Sequence, residues 1–375
     1  MRLAVLTTGR QDWGILRSTC LLLRDDAAFD LRLLVGGMHL GPRFGETYRL
    51  IESDGFATAE RIAWNVEAPI ATQAAAALDG VAGALARTEP DALMLLGDRF
   101  ETAAAALAAT LARVPIVHLH GGEQTEGAFD DALRHAISKL SHLHFVSHDE
   151  YRRRLLALGE APATVHVVGA PGLDNLRRAD LADRAELESL LGMPLAAPLI
   201  VVTVHPTTLA AAPLADAEAV AAAMARVAAT WVVTLPNNDP GAAEIRSLLL
   251  RAADGPRRRA VEALGERRYL GLLRHADAVL GNSSSAVIEA PAIGVPVVNV
   301  GDRQKGRLRS AHVQDVAADA DAIVAALGRA LDPATRSTLS SIAGALGDGH
   351  AGERIVRVLR DWTPPRPPRK APVPA

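Results

Sequence analysis

Residues 92–122 read ALMLLGDRFETAAAALAATLARVPIVHLHGG. The stretch consists of an apolar run, an alanine-rich run and a second apolar run. It predicts a strand at Ala92–Gly97, a helix at Arg99–Leu111 and a strand at Pro115–Leu119. Both strands are continuously apolar rather than alternating, which is typical of a parallel sheet covered by helices on both faces. This segment therefore predicts an α/β fold with right-handed crossovers.

The same alternation of strand and helix extends outward to both ends of the chain. The other predicted strands are Arg2–Thr8, Leu31–Gly36, Leu143–Ser147, Thr164–Val168, Leu199–Val204, Thr230–Leu235, Ala278–Gly281 and Val295–Val300. The other predicted helices are Trp13–Leu23, Thr72–Arg87, Ala215–Ala228, Ala242–Arg251 and Ser285–Ala292.

The pattern starts again after about residue 171, and glycines and prolines punctuate residues 170 to 195. We therefore expect a Rossmann-like domain at 1–170 and a second one at 171–345, with ligands bound at strand ends and between the domains. A helix at 346–362 is expected to pack back on the first domain. The proline-rich, basic segment 363–375 predicts a disordered tail.

Composition excludes several classes of protein. The 375 residues are 49% hydrophobic and 22% charged, as in an ordinary globular protein, and the net charge of −3 argues against a nucleic-acid partner. The single cysteine, Cys20, excludes an internal disulfide and a multi-cysteine metal site, which indicates a reducing compartment. With neither a signal peptide nor an apolar span of about 18 residues, we expect a soluble, cytoplasmic protein.

Two loops that follow predicted strands carry polar side chains. Thr7–Gly14 follows the first strand, and Gly9 permits a tight turn into a helix whose N-terminus could meet a phosphate. An ordinary βα turn is the alternative, and no G-x-G-x-x-G fingerprint is present. Asp98 ends the strand at Ala92–Gly97, where it is either a functional acid or the N-cap of the next helix.

A third stretch gathers acids and histidines between His118 and His148. Six of the 12 histidines occur there, so a structural metal is one interpretation, but no HExxH or Cys/His spacing occurs. Acid–base chemistry is the better-motivated interpretation, because clustered carboxylates and a histidine can have different pKa values. Asp131 could alternatively just pair with Arg134. The polar residues of this stretch are His118, His120, Glu123, Glu126, Asp130, Asp131, Arg134, His135, His142, His144 and His148.

A fourth stretch, GNSSSAVIEAP at 281–291, follows the strand that ends near Gly281. Hydroxyl and backbone N–H groups at a helix start form a site for a phosphate, although a serine-rich helix cap is the alternative. The stretch is neither G-x-S-x-G nor a P-loop, so it predicts no nucleophilic serine. Positive charge follows in the same half of the chain, at Arg303, Lys305, Arg307 and Arg309.

Five strings carry a family resemblance that runs from residue 1 to about residue 360. They are GDRFETAAAALA (97–108), GGEQTEGAFDDALRHAISKLSHLHF (121–145), GAPGLDN (169–175), YLGLLRHADAVLGNSSSAVIEAP (269–291) and GVPVVNVGDRQKGR (294–307). The chain resembles the hydrolysing UDP-N-acetylglucosamine 2-epimerases. The resemblance implies a GT-B architecture, with UDP bound by the second domain and chemistry in the cleft, and a homodimer or homotetramer. We expect no cofactor and no metal.

The resemblance also implies a reaction and the residues that carry it. In this family UDP is eliminated anti across C1–C2 of the sugar, and water adds to the resulting 2-acetamidoglycal to give the 2-epimeric free sugar. The catalytic side chains would be Asp98, Asp130 and Arg134, with Asp131 as a neighbouring candidate. The UDP contacts would be Arg10, His205, Asn282, Ser283, Ser284, Ser285, Glu289 and Arg307.

One departure from the family pattern affects the proton transfer. Many members read H-I-E-G-G-E where this chain reads His118-Leu119-His120-Gly121-Gly122-Glu123, so a family catalytic glutamate falls on His120. Either His120 or Glu123 would take over its role.

The sequence thus predicts conversion of UDP-N-acetylglucosamine and water to N-acetylmannosamine and UDP, for the synthesis of sialic-acid-like sugars. A hydrolysing UDP-N,N′-diacetylbacillosamine 2-epimerase of legionaminic acid synthesis is the alternative. A GT-B glycosyltransferase and a non-catalytic UDP-sugar-binding protein are further ones.

Overall fold

The computed structural model describes residues 1–124, 130–207, 212–236, 241–262, 264–340 and 344–370. These residues form two compact units. One contains residues 1–124, 130–175 and 349–370, and the other contains the described residues between 176 and 348. The chain thus leaves the first unit after Asn175 and re-enters it at Gly349.

The first unit is built on a parallel sheet. Its strands are β1 (Arg2–Thr7), β2 (Asp30–Gly36), β3 (Thr58–Ile62), β4 (Ala92–Leu96), β5 (Ile116–Leu119), β6 (Leu143–Val146) and β7 (Val165–Val167). Its first helices are α1 (Arg10–Arg24), α2 (Tyr48–Ser53), α3 (Ile70–Thr88), α4 (Phe100–Leu111), α5 (Asp130–Leu140) and α6 (Asp149–Ala157). The spatial order is β3-β2-β1-β4-β5-β6-β7. This order reverses direction between β1 and β4, and the carboxyl ends of such strands are where α/β sheets place their ligands.

The second unit repeats this plan. Its strands are β8 (Leu199–Thr203), β9 (Thr230–Thr234), β10 (Arg258–Val261), β11 (Ala278–Gly281), β12 (Val297–Val300) and β13 (Val313–Val316). Its helices are α7 (Arg184–Leu191), α8 (Ala215–Arg226), α9 (Ala242–Ala252), α10 (Glu266–His275), α11 (Ser284–Ala292), α12 (Ala320–Leu331) and α13 (Pro333–Ser340). The parallel order is β10-β9-β8-β11-β12-β13, so the reversal falls between β8 and β11.

A last helix, α14 (Ala351–Asp361), belongs to the first unit. Ile355 and Leu359 are fully or almost fully buried in the same core cluster as Leu16 and Cys20 of α1. Burial raises the pKa of the Cys20 thiol to about 12, which leaves it unreactive. After α14, residues 363–370 run without helix or strand, and 371–375 lie outside the described residues.

The predicted α/β class with two Rossmann-like parallel sheets is confirmed. The apolar strands lie within about two residues of their predicted positions. Three strands were missed, namely β3, β10 and β13, and each lies at the edge of its sheet. An edge strand has a neighbour on one side only and carries polar side chains, so it lacks the continuous apolar pattern. No helix among the described residues is both long and apolar enough to cross a membrane.

Candidate active site

The turn after β1 is closed by an aspartate. The backbone N–H and the hydroxyl of Thr8 donate to Oδ2 of Asp12, at 2.9 and 2.7 Å. The helix α1 then begins at Arg10, whose side chain is exposed, with Gly9 as an N-cap that has no side chain to offer. The N–H groups of Asp12 and Trp13 donate to the Gly9 carbonyl, at 3.0 and 3.2 Å. A phosphate site at this helix start stays a prediction.

Asp98 lies directly after β4, at the neighbouring strand end. It is not the N-cap of α4, because Arg99 occupies that position and makes no side-chain cap hydrogen bond. The Asp98 carboxylate instead accepts a hydrogen bond from the guanidinium of Arg134. Arg99 pairs with Glu101 at 2.8 Å. Asp98 thus pairs with Arg134 and does not cap the helix.

Arg134 joins two carboxylates that are distant in sequence. It extends from α5, its side chain is 4% exposed, and its second terminal nitrogen, Nη1, donates to Oε2 of Glu123 at 3.2 Å. Burial lowers the pKa of an arginine, but the charges of Asp98 and Glu123 outweigh this and raise the pKa of Arg134. The guanidinium consequently fixes Asp98 and Glu123 in one geometry.

His120 and Glu123 form a hydrogen-bonded pair. Nδ1 of His120 lies 2.5 Å from Oε1 of Glu123, which also accepts from the hydroxyl of Ser147 at 3.1 Å. Because Arg134 and Ser147 both donate to this carboxylate, it acts as an acceptor, and Nδ1 of His120 carries the hydrogen. Nε2 of His120 is buried and has no hydrogen-bond partner among the described residues.

The backbone of His120 is strained. Its φ of 62° lies in the left-handed region, which residues with a side chain adopt infrequently. Such conformations persist where the surroundings enforce them, and they concentrate at functional sites. Here the strain turns the chain sharply after β5, which brings the ring of His120 back to the carboxylate of Glu123 three residues later.

The first turn of α5 supplies a carboxyl group suited to proton transfer. Burial and the neighbouring charge of Asp98 raise the pKa of Asp130 to about 6, against the opposing charge of Arg99. Asp130 can therefore hold or release a proton near neutral pH. Asp131 lies 3.5 Å from Nε2 of His135, one helical turn onward. Glu126, another acid of this stretch, lies outside the described residues.

The buried histidines of β5 and β6 have structural partners. His118 contacts the Gly97 carbonyl through Nε2 and Ser138 through Nδ1, at 2.8 and 3.1 Å, and burial lowers its pKa to about 3. His144 contacts Glu160 at 3.1 Å. Within the described part of the chain, no cluster of three or more His, Cys, Asp or Glu side chains could hold a metal ion.

In the second unit, Asn282 connects the ends of β8 and β11. Its amide nitrogen donates to the His205 carbonyl and to Asp216, both at 2.9 Å, and its amide oxygen accepts from the His205 N–H at 2.7 Å. Asn282 is fully buried. We predicted Asn282 as a UDP-binding residue, and that role stays a prediction. Its side chain lies inside the protein, where it holds the loop that carries His205.

The serine-rich turn forms the start of α11. Ser283 is the N-cap, and its hydroxyl accepts from the Ser285 N–H at 3.4 Å, so the predicted helix cap is present. The hydroxyl of Tyr269 is buried without a hydrogen-bond partner among the described residues, and burial raises the pKa of Tyr269 to about 12. Gly281 has a φ of 138°, and a Cβ there would collide with the Thr203 carbonyl. The approach of β8 and β11 at this end therefore requires glycine.

Cationic and neutral donors lie beside this helix start. Arg303 and Gln304, in the loop after β12, donate to the Asn282 carbonyl at 3.0 and 2.9 Å. Nε of Arg307 and Nδ1 of His205 are buried without a hydrogen-bond partner among the described residues. Burial and the charge of Arg303 lower the pKa of His205 to about 4, so its ring is neutral. This loop and the helix start combine positive charge with unused donors.

The sequence-predicted residues thus fall into two groups, one in each unit. Asp98, His120, Glu123, Asp130 and Arg134 interact in the first unit. His205, Asn282, Ser283, Ser284, Ser285 and Glu289 lie at the β8 and β11 ends of the second, with Arg307 in the following loop. Sequence reasoning missed Ser147, Asp216 and Gln304, which support the others from elsewhere in the chain. Of these three, Gln304 fell within a string that carried the resemblance.

Comparison with known proteins identifies the family. The model of the UDP-N-acetylglucosamine 2-epimerase family matches residues 22–360. A Campylobacter jejuni relative named GDP/UDP-N,N′-diacetylbacillosamine 2-epimerase (hydrolyzing) is 34% identical, over 84% of this chain and 84% of that protein. A Legionella pneumophila relative named UDP-N,N′-diacetylbacillosamine 2-epimerase (hydrolyzing) is also 34% identical, over 96% of both chains.

Solved structures show the same fold. The structure of the UDP-GlcNAc 2-epimerase from Neisseria meningitidis, bound to UDP-GlcNAc, superposes with a TM-score of 0.83 at 17% sequence identity. It covers 96% of this chain and 100% of that one. The likeness supports the GT-B type of architecture. The chain belongs to the UDP-N-acetylglucosamine 2-epimerase family and is an enzyme of the hydrolysing 2-epimerase type.

Proposed function

We propose that this enzyme converts a UDP-linked 2-acetamido sugar and water into UDP and the free 2-epimeric sugar. UDP leaves across C1–C2 to give a 2-acetamidoglycal, to which water then adds. The observation that carries the proposal is the first-unit cluster in which Arg134 joins Asp98 to the Glu123–His120 pair. Removing the weakly acidic C2 proton and later replacing it require acid–base groups held in fixed positions.

Inversion at C2 favours two proton-handling groups. The proton leaves one face of the ring and another returns to the opposite face, so one group on each face serves the reaction directly. Asp130, with its pKa raised to about 6, is one candidate. Nε2 of His120 is the other, because Glu123 holds the hydrogen of the ring at Nδ1 and leaves Nε2 as the acceptor.

In this proposal Glu123 orients His120 and does not itself transfer the proton. Its two carboxylate oxygens already accept from His120, Arg134 and Ser147. A carboxylate with these partners fixes the tautomer of the His120 ring and stabilises an imidazolium that forms on it. The aspartate of a catalytic triad acts in the same way. Of the two residues that the sequence left open for proton transfer, we therefore propose His120.

We propose that the second unit binds the UDP moiety. The N-terminus of α11 and the cationic loop that contains Arg303 and Arg307 supply N–H groups and positive charge for a diphosphate. These groups would stabilise the negative charge that develops on UDP as it leaves. Arg10, at the start of α1, would add a further cation, and Glu289 would accept from a ribose hydroxyl.

Two sugars fit the proposal. The names of the two 34% identical relatives favour UDP-N,N′-diacetylbacillosamine, which would place the enzyme in legionaminic acid synthesis. UDP-N-acetylglucosamine, which would give N-acetylmannosamine for sialic-acid-like sugars, is the second candidate. We further propose that the enzyme acts in the cytoplasm as a homodimer or homotetramer.

Product analysis tests the proposal. The pure protein is incubated with each UDP-sugar, and UDP and the sugar are followed by NMR. The proposal predicts equimolar UDP and free 2-epimer from at least one substrate. Asp98→Asn should lower turnover by orders of magnitude and change the UDP affinity by less than about twofold. A protein that binds UDP but releases no UDP from either sugar would contradict it, as would transfer of the sugar to an acceptor.

A further inference from the structure

The segment Thr363–Lys370 contacts the first unit at three points. Arg366 pairs with Asp91, which precedes β4 and also accepts from the Arg2 N–H at 2.8 Å. Burial lowers the pKa of His142, which precedes β6, and the Pro368 carbonyl beside it opposes this shift. Lys370 makes the third contact. Together they fix this segment across the amino ends of the strands, the sheet edge opposite to Asp98 and His120.

Lys370 binds the C-terminal end of α5. Its ammonium group donates to the carbonyls of Ser138 and Lys139, at 3.2 and 2.8 Å. These carbonyls belong to the last turn of the helix, whose oxygens have no partner within the helix. A cation at this end also interacts favourably with the helix dipole. Lys370 therefore stabilises the end of the helix whose first turn carries Asp130 and whose middle carries Arg134.

The ammonium group of Lys370 has a second, buried partner. It lies 2.6 Å from Glu160, whose side chain is 2% exposed and which also binds Lys139 and His144. Burial alone raises the pKa of a carboxyl group. Hydrogen bonds from His144, Lys139 and Lys370 outweigh this effect and lower the pKa of Glu160 to about 2. Lys370 is thus one of three cationic or polar donors that make this buried charge tolerable.

The end of α5 is also tied to the turn that carries Asp98. The hydroxyl of Ser138 lies 3.1 Å from Nδ1 of His118, and Nε2 of His118 lies 2.8 Å from the Gly97 carbonyl. A carbonyl only accepts, so Nε2 carries the hydrogen. The single hydroxyl hydrogen of Ser138 is therefore shared between Nδ1 and the Arg134 carbonyl, which lies 3.0 Å from the hydroxyl oxygen. Both partners of the Asp98–Arg134 pair are consequently connected to the helix end that Lys370 binds.

We propose that Lys370 is a positioning residue for the Asp98–Arg134 pair, which it holds by fixing the C-terminal end of α5. Only the expected effect on kcat rests on the proposed function. Lys370 lies on the opposite sheet edge from the reacting groups and acts through the helix, so its loss affects the chemical step and leaves UDP binding intact.

The test compares Lys370→Met with Lys370→Arg, which keeps the charge and the donors, and with Arg369→Ala as the neighbouring control. We expect Lys370→Met to lower kcat about tenfold, while KM and the Kd for UDP stay within about twofold of the wild-type values. Lys370→Arg should retain at least half of the wild-type kcat, and Arg369→Ala should match the wild type. Turnover is expressed per UDP-binding site, which removes any loss of folded protein from the comparison. An unchanged kcat per site overturns the proposal.

Hydrogen exchange separates this proposal from the proposed function. Amides in residues 134–140 should exchange at least tenfold faster in Lys370→Met than in the wild type, whichever sugar the enzyme uses. Wild-type protein that turns over neither UDP-sugar contradicts the proposed function alone, whereas unchanged exchange in α5 contradicts the positioning role alone. If Lys370→Met does not fold, Arg366→Met replaces it, because it loosens the same segment at Asp91. Unchanged amide exchange in α5 together with an unchanged kcat in Arg366→Met would overturn the proposal.

Discussion

Glu123→Gln isolates the part of the site that the proposed mechanism needs most. The side chain is 8% exposed, and its carboxylate accepts from His120, Ser147 and Arg134. Glutamine has nearly the same shape but only one acceptor oxygen. If that oxygen keeps the bonds to His120 and Ser147, the amide NH₂ faces Nη1 of Arg134, and two donors oppose each other.

The size of the effect follows from the geometry. Two unit charges about 4 Å apart interact by about 4 kcal/mol at an effective dielectric of about 20, and some of this stabilises an imidazolium that forms on His120. A hydrogen bond to a charged group contributes about 1.5–3 kcal/mol. A combined loss of about 3–4 kcal/mol corresponds to a 10²- to 10³-fold lower kcat. The UDP affinity should remain within about twofold.

Steady-state UDP release and calorimetric titration with UDP measure the two quantities. Glu150→Gln is the matched control, because Glu150 is a partly exposed carboxylate on α6 of the same unit that pairs with Arg154. It should leave kcat within about twofold. A kcat for Glu123→Gln within about threefold of the wild type would refute the role of Glu123 as the residue that orients His120.

Three further perturbations have defined outcomes. Burial disfavours the ionised form of Asp130, so this residue lowers the stability of the fold above pH 6 and has no such effect below about pH 4. Asp130→Asn should therefore raise the melting temperature at pH 7.5 but not at pH 4. An equal change at both pH values would contradict this prediction. Arg134→Lys removes one of two simultaneous contacts, because a single ammonium group cannot reach both Asp98 and Glu123 as the guanidinium does. In the UDP-release assay kcat should fall about 10- to 100-fold. A kcat within threefold of the wild type would speak against the double contact of Arg134. Asn282→Ala leaves the buried N–H and carbonyl of His205 without their partner. The free energy of unfolding, measured with denaturant, should fall by about 3 kcal/mol, and UDP should bind more weakly. Unchanged UDP binding would show that this connection does not shape the site.

The parts of the fold that sequence predicted well are those with a strong apolar signal. The strands β4, β5, β8 and β11 are fully buried, and a buried strand in a parallel sheet leaves little room for polar residues. The edge strand β3 reads TAERI and alternates between partly buried and exposed side chains until Ile62. Its identity as a strand depends on pairing with β2, which is information that the local pattern does not contain.

The candidate residues of the site could be named from the sequence, but their contacts could not. The strings that carried the family resemblance contain Asp98 and Arg134, whereas His120 was named because the chain departs from the family pattern there. That Arg134 bridges Asp98 and Glu123 depends on where α5 packs, which is a tertiary fact. Asn282 shows the converse, because its place in a predicted UDP-binding motif says nothing about the direction of its side chain, which points into the protein.

The most direct test of the account is the reaction in D₂O, with the sugar product analysed by NMR. If UDP leaves by elimination and a proton returns from solvent, the product carries one deuterium at C2 and the inverted configuration there, with one UDP released per sugar. His120→Gln should abolish or strongly slow this incorporation, and UDP should still bind. A 2-epimer that retains hydrogen at C2 would contradict the account, because C2 would not have been deprotonated.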